Sequence, residues 1–120
     1  MLQKLMIMTT VGAEDPEKAT FPVSLAVNAQ AIDIEVTLCV LKEAVRFALR
    51  DGATEIVAHG MPALQGLVDT FFEAGGKMLV CTPCMTVRGI KPEELLPGAT
   101  VAGGAAFVAA AMEADKVMTF

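Results

Sequence analysis

Three of the 120 residues are cysteines, and two of them, Cys81 and Cys84, are separated only by Thr82 and Pro83. An odd number of cysteines does not make a disulfide framework; in a reducing compartment a C-x-x-C reads as redox, metal or sulfur chemistry. The reactive form is the thiolate, and a free thiol with a pKa of about 8.5 needs help from its surroundings to form it. The run Lys77 to Cys81 (KMLVC) has the pattern of a short buried strand. Thr82 or Pro83 then opens a short helix that ends at Gly89. A thiol at such a junction faces unpaired N–H groups and the positive end of the helix. The backbone N–H groups from Thr82 to Met85 and the Arg88 guanidinium are the expected stabilisers of negative sulfur. Thr9 and Thr10, at the end of the first predicted strand, are the expected wall of the site.

Three chemistries compete for this pair. A thiol–disulfide couple fits the C-x-P-C form, but only about six residues of helix follow, and no strand beginning with proline comes after it to pack against a disulfide. A closed zinc site needs four ligands. Cys39 and His59 are the only further Cys or His, and no second C-x-x-C or H-x-x-x-H exists. A persulfide carrier needs one accessible thiol of low pKa and little else. Against all three stands inert packing, the ordinary state of a buried cysteine and the reading for Cys39 within its apolar run. The glycines at 98, 103 and 104 form no phosphate loop, so neither cofactor nor metal is expected.

The elements that position the pair follow from periodicity. Lys4 to Thr10 reads as a strand. Asp15 is a plausible N-cap with Pro16 at the first helical position, for a helix reaching about Gln30 in which Phe21, Leu25 and Ala29 recur at helical spacing. Pro22 predicts a kink or a later start. Asp33 to Val40 is the second strand. Leu41 to Arg50, apolar at 41, 44, 45, 48 and 49, predicts an amphipathic helix ended by Asp51 and Gly52. Glu55 to His59 is ambiguous between a short strand and an ordered loop. Pro62 to Ala74 is a helix stopped by Gly75 and Gly76, and Glu93 to Leu96 a turn. Thr100 to Ala102, Gly104 to Ala114 and Lys116 to Phe120 complete the chain as strand, helix and strand. This alternation predicts a single α/β domain over residues 1–120, a three-layer sandwich whose mostly parallel sheet has helices on both faces. Its chemistry belongs at the carboxyl ends of the strands, in the loops after Thr10, Val40, Cys81 and Ala102.

Composition narrows the setting. With net charge −5 and nine scattered basic residues, nucleic acid is not an expected partner. The most apolar stretch, Ala99 to Met112, is shorter than the roughly 20 residues a membrane span needs. No secretory signal is seen, so a cytoplasmic location is expected. Hydrophobic residues make up 54% before the ten glycines are counted, against roughly 45–50% with glycine in ordinary domains. A sheet buried on both faces absorbs part of that excess. The helix from Gly104 to Ala114 is polar only at Glu113, has almost no face suited to solvent, and so predicts cover by a neighbouring subunit or a sheet edge.

The run Leu79 to Ile90 (LVCTPCMTVRGI), Glu93-Glu94-Leu95 after Pro92, the run Thr100 to Val108 (TVAGGAAFV) and the run Glu113 to Phe120 (EADKVMTF) resemble the DsrE/DsrF-like family. Glu43-Ala44-Val45 and the helix between Gly60 and Gly76 also fit. The most specific element is Cys81 followed, with six residues intervening, by Arg88-Gly89. The resemblance covers nearly the whole chain, is sharpest from Leu67 to Phe120, and is less clear over residues 41–59. It implies an α/β sandwich with a mostly parallel five-stranded sheet and assembly as a homo-oligomer, trimer or hexamer. It also implies sulfur relay with protein donors and acceptors, in which Cys81 carries persulfide and Cys84 is the second cysteine of a subset. A non-catalytic oligomeric or regulatory subunit whose cysteines only pack is the alternative.

Overall fold

The computed structural model describes residues 2–120. Five strands form one parallel sheet: β1 (Lys4–Thr9), β2 (Glu35–Val40), β3 (Lys77–Cys81), β4 (Ala99–Ala102) and β5 (Lys116–Thr119), in the order β4-β3-β2-β1-β5. Four α-helices connect them: α1 (Pro16–Ala31), α2 (Leu64–Glu73), α3 (Thr82–Val87) and α4 (Gly104–Glu113). The expected α/β sandwich is present. β1 to β4 advance across the sheet one neighbour at a time, whereas the last connection returns from one edge to the other. With right-handed crossovers throughout, α1 and α2 share one face, and α4 crosses the opposite face by itself.

Burial follows from that imbalance. Strand register places Ile7, Thr9, Leu38, Val40, Met78 and Val80 on one face, and all are fully buried. On the other face Met8, Thr37 and Leu79 are only half-buried, although Met6 and Cys39 among them are sealed. The first set is the one under two helices and the second the one under α4. Cys81 follows Leu79 by two positions and pairs with Ala102, which puts it on the α4 face.

α1 starts at Pro16, with Asp15 as N-cap accepting from the Lys18 N–H at 3.2 Å, and runs unbroken through Pro22 to Ala31. Pro22 therefore does not delay its start. The buried stripe is Ala19, Val23, Ala26 and Ala29, and Phe21 and Leu25 point outward, half-exposed. The small residues of that stripe, rather than Phe21 and Leu25, are thus the ones that meet the sheet.

The expected helix over Leu41–Arg50 is instead a 3-10 helix, Lys42–Ala48, entered through Lys42 at φ 52°. Three residues per turn stack Ala44 over Phe47 and Val45 over Ala48, and all four are buried. Leu49 is extended and bridges Leu95, and the Leu96 N–H donates to the Ala48 carbonyl. A continuing α-helix would forfeit both. Glu55 to His59 forms no strand; it is a loop with Ile56 and Ala58 buried. Gly52 closes the 3-10 segment so tightly that a Cβ there would stand 1.8 Å from the Arg46 carbonyl oxygen. None of the described helices is long and apolar enough to cross a membrane.

Two glycines give opposite expectations. Gly52→Ala drives a Cβ into backbone that cannot yield and should destabilise the chain by about 2 kcal/mol or more. Gly66 lies inside α2, and a Cβ added there would meet nothing within 4 Å, so Gly66→Ala should stabilise by about 0.5–1 kcal/mol. Urea-unfolding midpoints of the two variants check both signs.

Candidate functional site

Cys81 is the last residue of β3 and the N-cap of α3, so strand and helix meet at its α-carbon. Pro83 sits in the first turn, where its missing N–H costs nothing. The Thr82 hydroxyl donates to the Ala102 carbonyl at 3.1 Å, tying the turn to the end of β4. Met85, buried at 2% exposure, anchors α3 in the core, so its contribution at the turn is confined to its backbone. Gly89 at φ 69° ends the helical segment, as glycine at positive φ commonly does.

The two sulfurs sit in unequal surroundings. Cys81 is 8% exposed and Cys84 more open. Burial raises the Cys81 pKa above its ordinary value; the facing Cys84 thiol adds to the rise, and the Cys84 backbone N–H and the Arg88 charge oppose it. The expectation of a lowered pKa is therefore reversed, because desolvation of the anion outweighs the helix end and the cation. The Cys39 thiol, inside β2 with no exposure, is pushed up to about 12 by burial. A raised thiol favours the folded state while protonated, and that contribution fades as pH rises beyond the ordinary thiol pKa.

Arg88 caps the carboxyl end of α3 and folds back along it. Its Nη1 donates to the Cys84 carbonyl at 3.1 Å and its Nε to Glu43 Oε2 at 2.5 Å. Glu43 Oε1 in turn accepts from Arg46 Nε at 2.9 Å. The Arg46 and Arg88 hydrogen bonds hold the Glu43 carboxyl below the usual carboxylate range. Its ion-paired contribution is complete above the ordinary Glu pKa and is lost as pH falls through the lowered value. Gly12, in the loop after β1, lies against Glu43: a Cβ there would come 2.8 Å from the Glu43 Cβ. The loops after β1, β2 and β3 therefore converge on one carboxylate. A cavity of about 460 Å³ opens beside it, between Gly12, Glu43, Arg46, Arg50, Asp51 and Glu55. A second, of about 380 Å³, lies at the amino ends of the strands among Lys4, Glu35 and Lys77. Cys81 is on the wall of neither.

Cys81, Thr82, Cys84 and Arg88 are thus gathered in one turn. Thr9 and Thr10 lie two strands away. The Thr9 side chain is in register with Val40, on the face opposite Cys81, and its buried hydroxyl oxygen has no partner. The Thr10 hydroxyl donates to the Phe120 carbonyl on the β5 side. Neither walls the cysteine turn. Glu43 is the participant that sequence reasoning missed. Its Arg88 partner is 45 residues away, and the signs at hand were an arginine three positions on and the Glu43-Ala44-Val45 resemblance, neither of which points to Cys81.

An uncharacterized protein of Methanocaldococcus jannaschii, MJ0989, is 29% identical over 117 residues, 98% of this chain and 99% of that protein. A second from the same organism, MJ0760, is 26% identical over 107 residues, 89% of this chain but 39% of that longer protein. The crystal structure of the YchN protein from E. coli superimposes with a TM-score of 0.81 at 21% identity, covering 99% of this chain and all of that one. MTH1491 of Methanobacterium thermoautotrophicum, of unknown function, does so with a TM-score of 0.71 at 14% identity, over 97% of this chain and 98% of that one. Both share the fold. The model of the DsrE/DsrF-like family matches residues 3–120, so the chain belongs to the DsrE/DsrF-like family.

Proposed function

We propose that this protein is a sulfur carrier in which Cys81 accepts sulfane sulfur. The observation that carries the reading is the place of Cys81 at the carboxyl end of β3 and the N-cap of α3, with Cys84 in the first turn and the Arg88 guanidinium bonded to the Cys84 carbonyl. In the loading step the Cys81 thiolate attacks the outer sulfur of a donor persulfide, R–S–SH. The new bond is Cys81 S–S, the donor S–S bond breaks, and R–S⁻ leaves to take the proton Cys81 gave up. Unloading has two routes. An acceptor nucleophile takes the outer sulfur, or the Cys84 thiolate attacks the Cys81 sulfur, forms the Cys81–Cys84 disulfide and expels HS⁻. A second reading, inert packing of both cysteines in a regulatory or structural subunit, is favoured by the 8% exposure and raised pKa of Cys81.

Assembly belongs to the same proposal, with a second copy of the chain as partner. From Gly103 to Met112 there is no charged residue, and α4 buries only Phe107. Val108 is 63% and Met112 80% exposed. All four residues of β5, a sheet edge with one unpaired side, are exposed as well. Interfaces of transient partners are about as polar as other surface, whereas permanent homo-oligomer interfaces are more apolar. An open edge strand beside an apolar helix is also an aggregation hazard unless it is permanently covered. Composition and edge together point to an obligate copy-to-copy contact, in the trimer or hexamer that the family resemblance implies.

Two outcomes are expected. Incubation with a persulfide donor adds about 32 Da, one sulfur atom, to the intact parent and to Cys84→Ser, and nothing to Cys81→Ser. An unmodified parent whose Cys81 is alkylated by iodoacetamide would refute the carrier reading, because a reachable thiol that takes no sulfur is no carrier. Sedimentation finds the parent oligomeric at micromolar concentration, and Val108→Asp with Met112→Glu weakens association tenfold or more with unchanged circular dichroism. A parent that sediments as a monomer refutes the α4–β5 interface.

A further inference from the structure

Arg88 is held from two sides. Its Nη1 is fixed on the Cys84 carbonyl one helical turn back, and its Nε on Glu43, which belongs to a different loop. The side chain is only 19% exposed, and the ion pair is more sheltered than an ordinary surface contact. Glu43 has little freedom of its own. Its chain enters through Lys42 at φ 52°, its Cβ lies against Gly12, and its second oxygen is engaged by Arg46. A carboxylate fixed by backbone, by a glycine contact and by a second arginine is a rigid anchor for the guanidinium. The Cys84 carbonyl is a weak neutral acceptor by comparison, and an arginine side chain has several rotatable bonds. Without Glu43 only the Cys84 carbonyl would hold the guanidinium.

We propose that Glu43 is a positioning residue that holds the Arg88 guanidinium against the Cys81–Cys84 turn, where it stabilises negative charge on sulfur. This rests on Cys81 carrying sulfur, and it names the group that makes the carrier's charged sulfur tolerable on a buried cysteine. Arg88 meets the cysteine turn at the Cys84 carbonyl, and Glu43 is bonded by Arg46 and Arg88, with Arg50, Asp51 and Glu55 around the cavity beside it. Glu43 acts through Arg88, not by touching sulfur, and this gives the proposal a signature. A carboxylate close to sulfur would repel the thiolate, so its removal would make the thiol more acidic. A carboxylate that aims a cation has the opposite effect when removed.

The test is the pH dependence of iodoacetamide alkylation of Cys81, in a Cys84→Ser background so that the peptide carrying Cys81 reports one thiol. Glu43→Gln is expected to move the midpoint upward by about half a pH unit, slowing alkylation at neutral pH about threefold. Glu43→Asp should recover part of the shift. Arg88→Met should shift the midpoint at least as far, and Glu43→Gln added to Arg88→Met should shift it no further. A midpoint that stays at the parental value or falls in Glu43→Gln overturns the proposal. So does an equal shift from Glu43→Gln with Arg88 already removed. Urea midpoints confirm that each variant is folded. Persulfide loading is scored separately in the parent, so an upward shift in a chain that takes no sulfur retains Glu43's role and removes the carrier reading.

Discussion

The order of the strands is the constraint from which the rest follows. Because β1 to β4 advance in one direction and every crossover is right-handed, α1 and α2 must lie together and α4 must cover the other face alone. A ten-residue helix is roughly 15 Å long, while five strands at about 4.8 Å spacing span about 20 Å. One face is consequently sealed and the other left open at Met8, Thr37 and Leu79. All carboxyl ends emerge along one edge, so loops distant in sequence meet there. Gly12, Glu43 and Arg88 are neighbours for that reason alone.

The cysteine turn shows how finely the competing terms are set. A helix start, a backbone N–H and a cation all favour a thiolate at Cys81, and burial outweighs them. The balance depends on position along β3. Cys81 is at its very end, half in the strand and half in the cap, so small differences in cover decide its acidity. Cys39, on the same face but inside β2 and beyond the reach of any of the three, shows the result when burial is unopposed. The same residue type on the same sheet thus has burial unopposed at one position and burial opposed by neighbouring groups at the other.

What the sequence disclosed depended on whether the deciding interaction was local. The β3–α3 junction was legible because strand, Pro83 and both cysteines are adjacent, and the start of α1 because Asp15 caps its own helix. The face of α1 was misread: Phe21 and Leu25 have the right spacing, but the stripe of small residues from Ala19 to Ala29 packs closer to the sheet. The segment after β2 was read as an α-helix because apolar residues at 41, 44, 45 and 48 suit that period. The long-range bridge from Leu49 to Leu95, which ends it, left no local trace. Glu43 was invisible as a site residue for the same reason, and Thr9 was misplaced because one step of strand register decides the face.

The apolar excess and the cysteine chemistry meet at the amino end of α4. Cys81 pairs with Ala102 at the end of β4, the Thr82 hydroxyl is bonded to the Ala102 carbonyl, and α4 begins two residues later at Gly104. A Cβ added at Gly103 or Gly104 would meet nothing within 4 Å, so that end of the turn is open. A body covering Val108 and Met112 lies along the same helix, about one to two turns from the cysteine turn, since each turn rises 5.4 Å. In the proposed assembly, cover on α4 would change how solvent and a sulfur donor reach Cys81. The raised acidity threshold of that thiol belongs to the uncovered chain, and further loss of water around it would raise the threshold again unless Arg88 is held in place. In the proposed carrier, the more completely the helix were covered, the more the site would depend on the Glu43–Arg88 pair to keep negative sulfur stable.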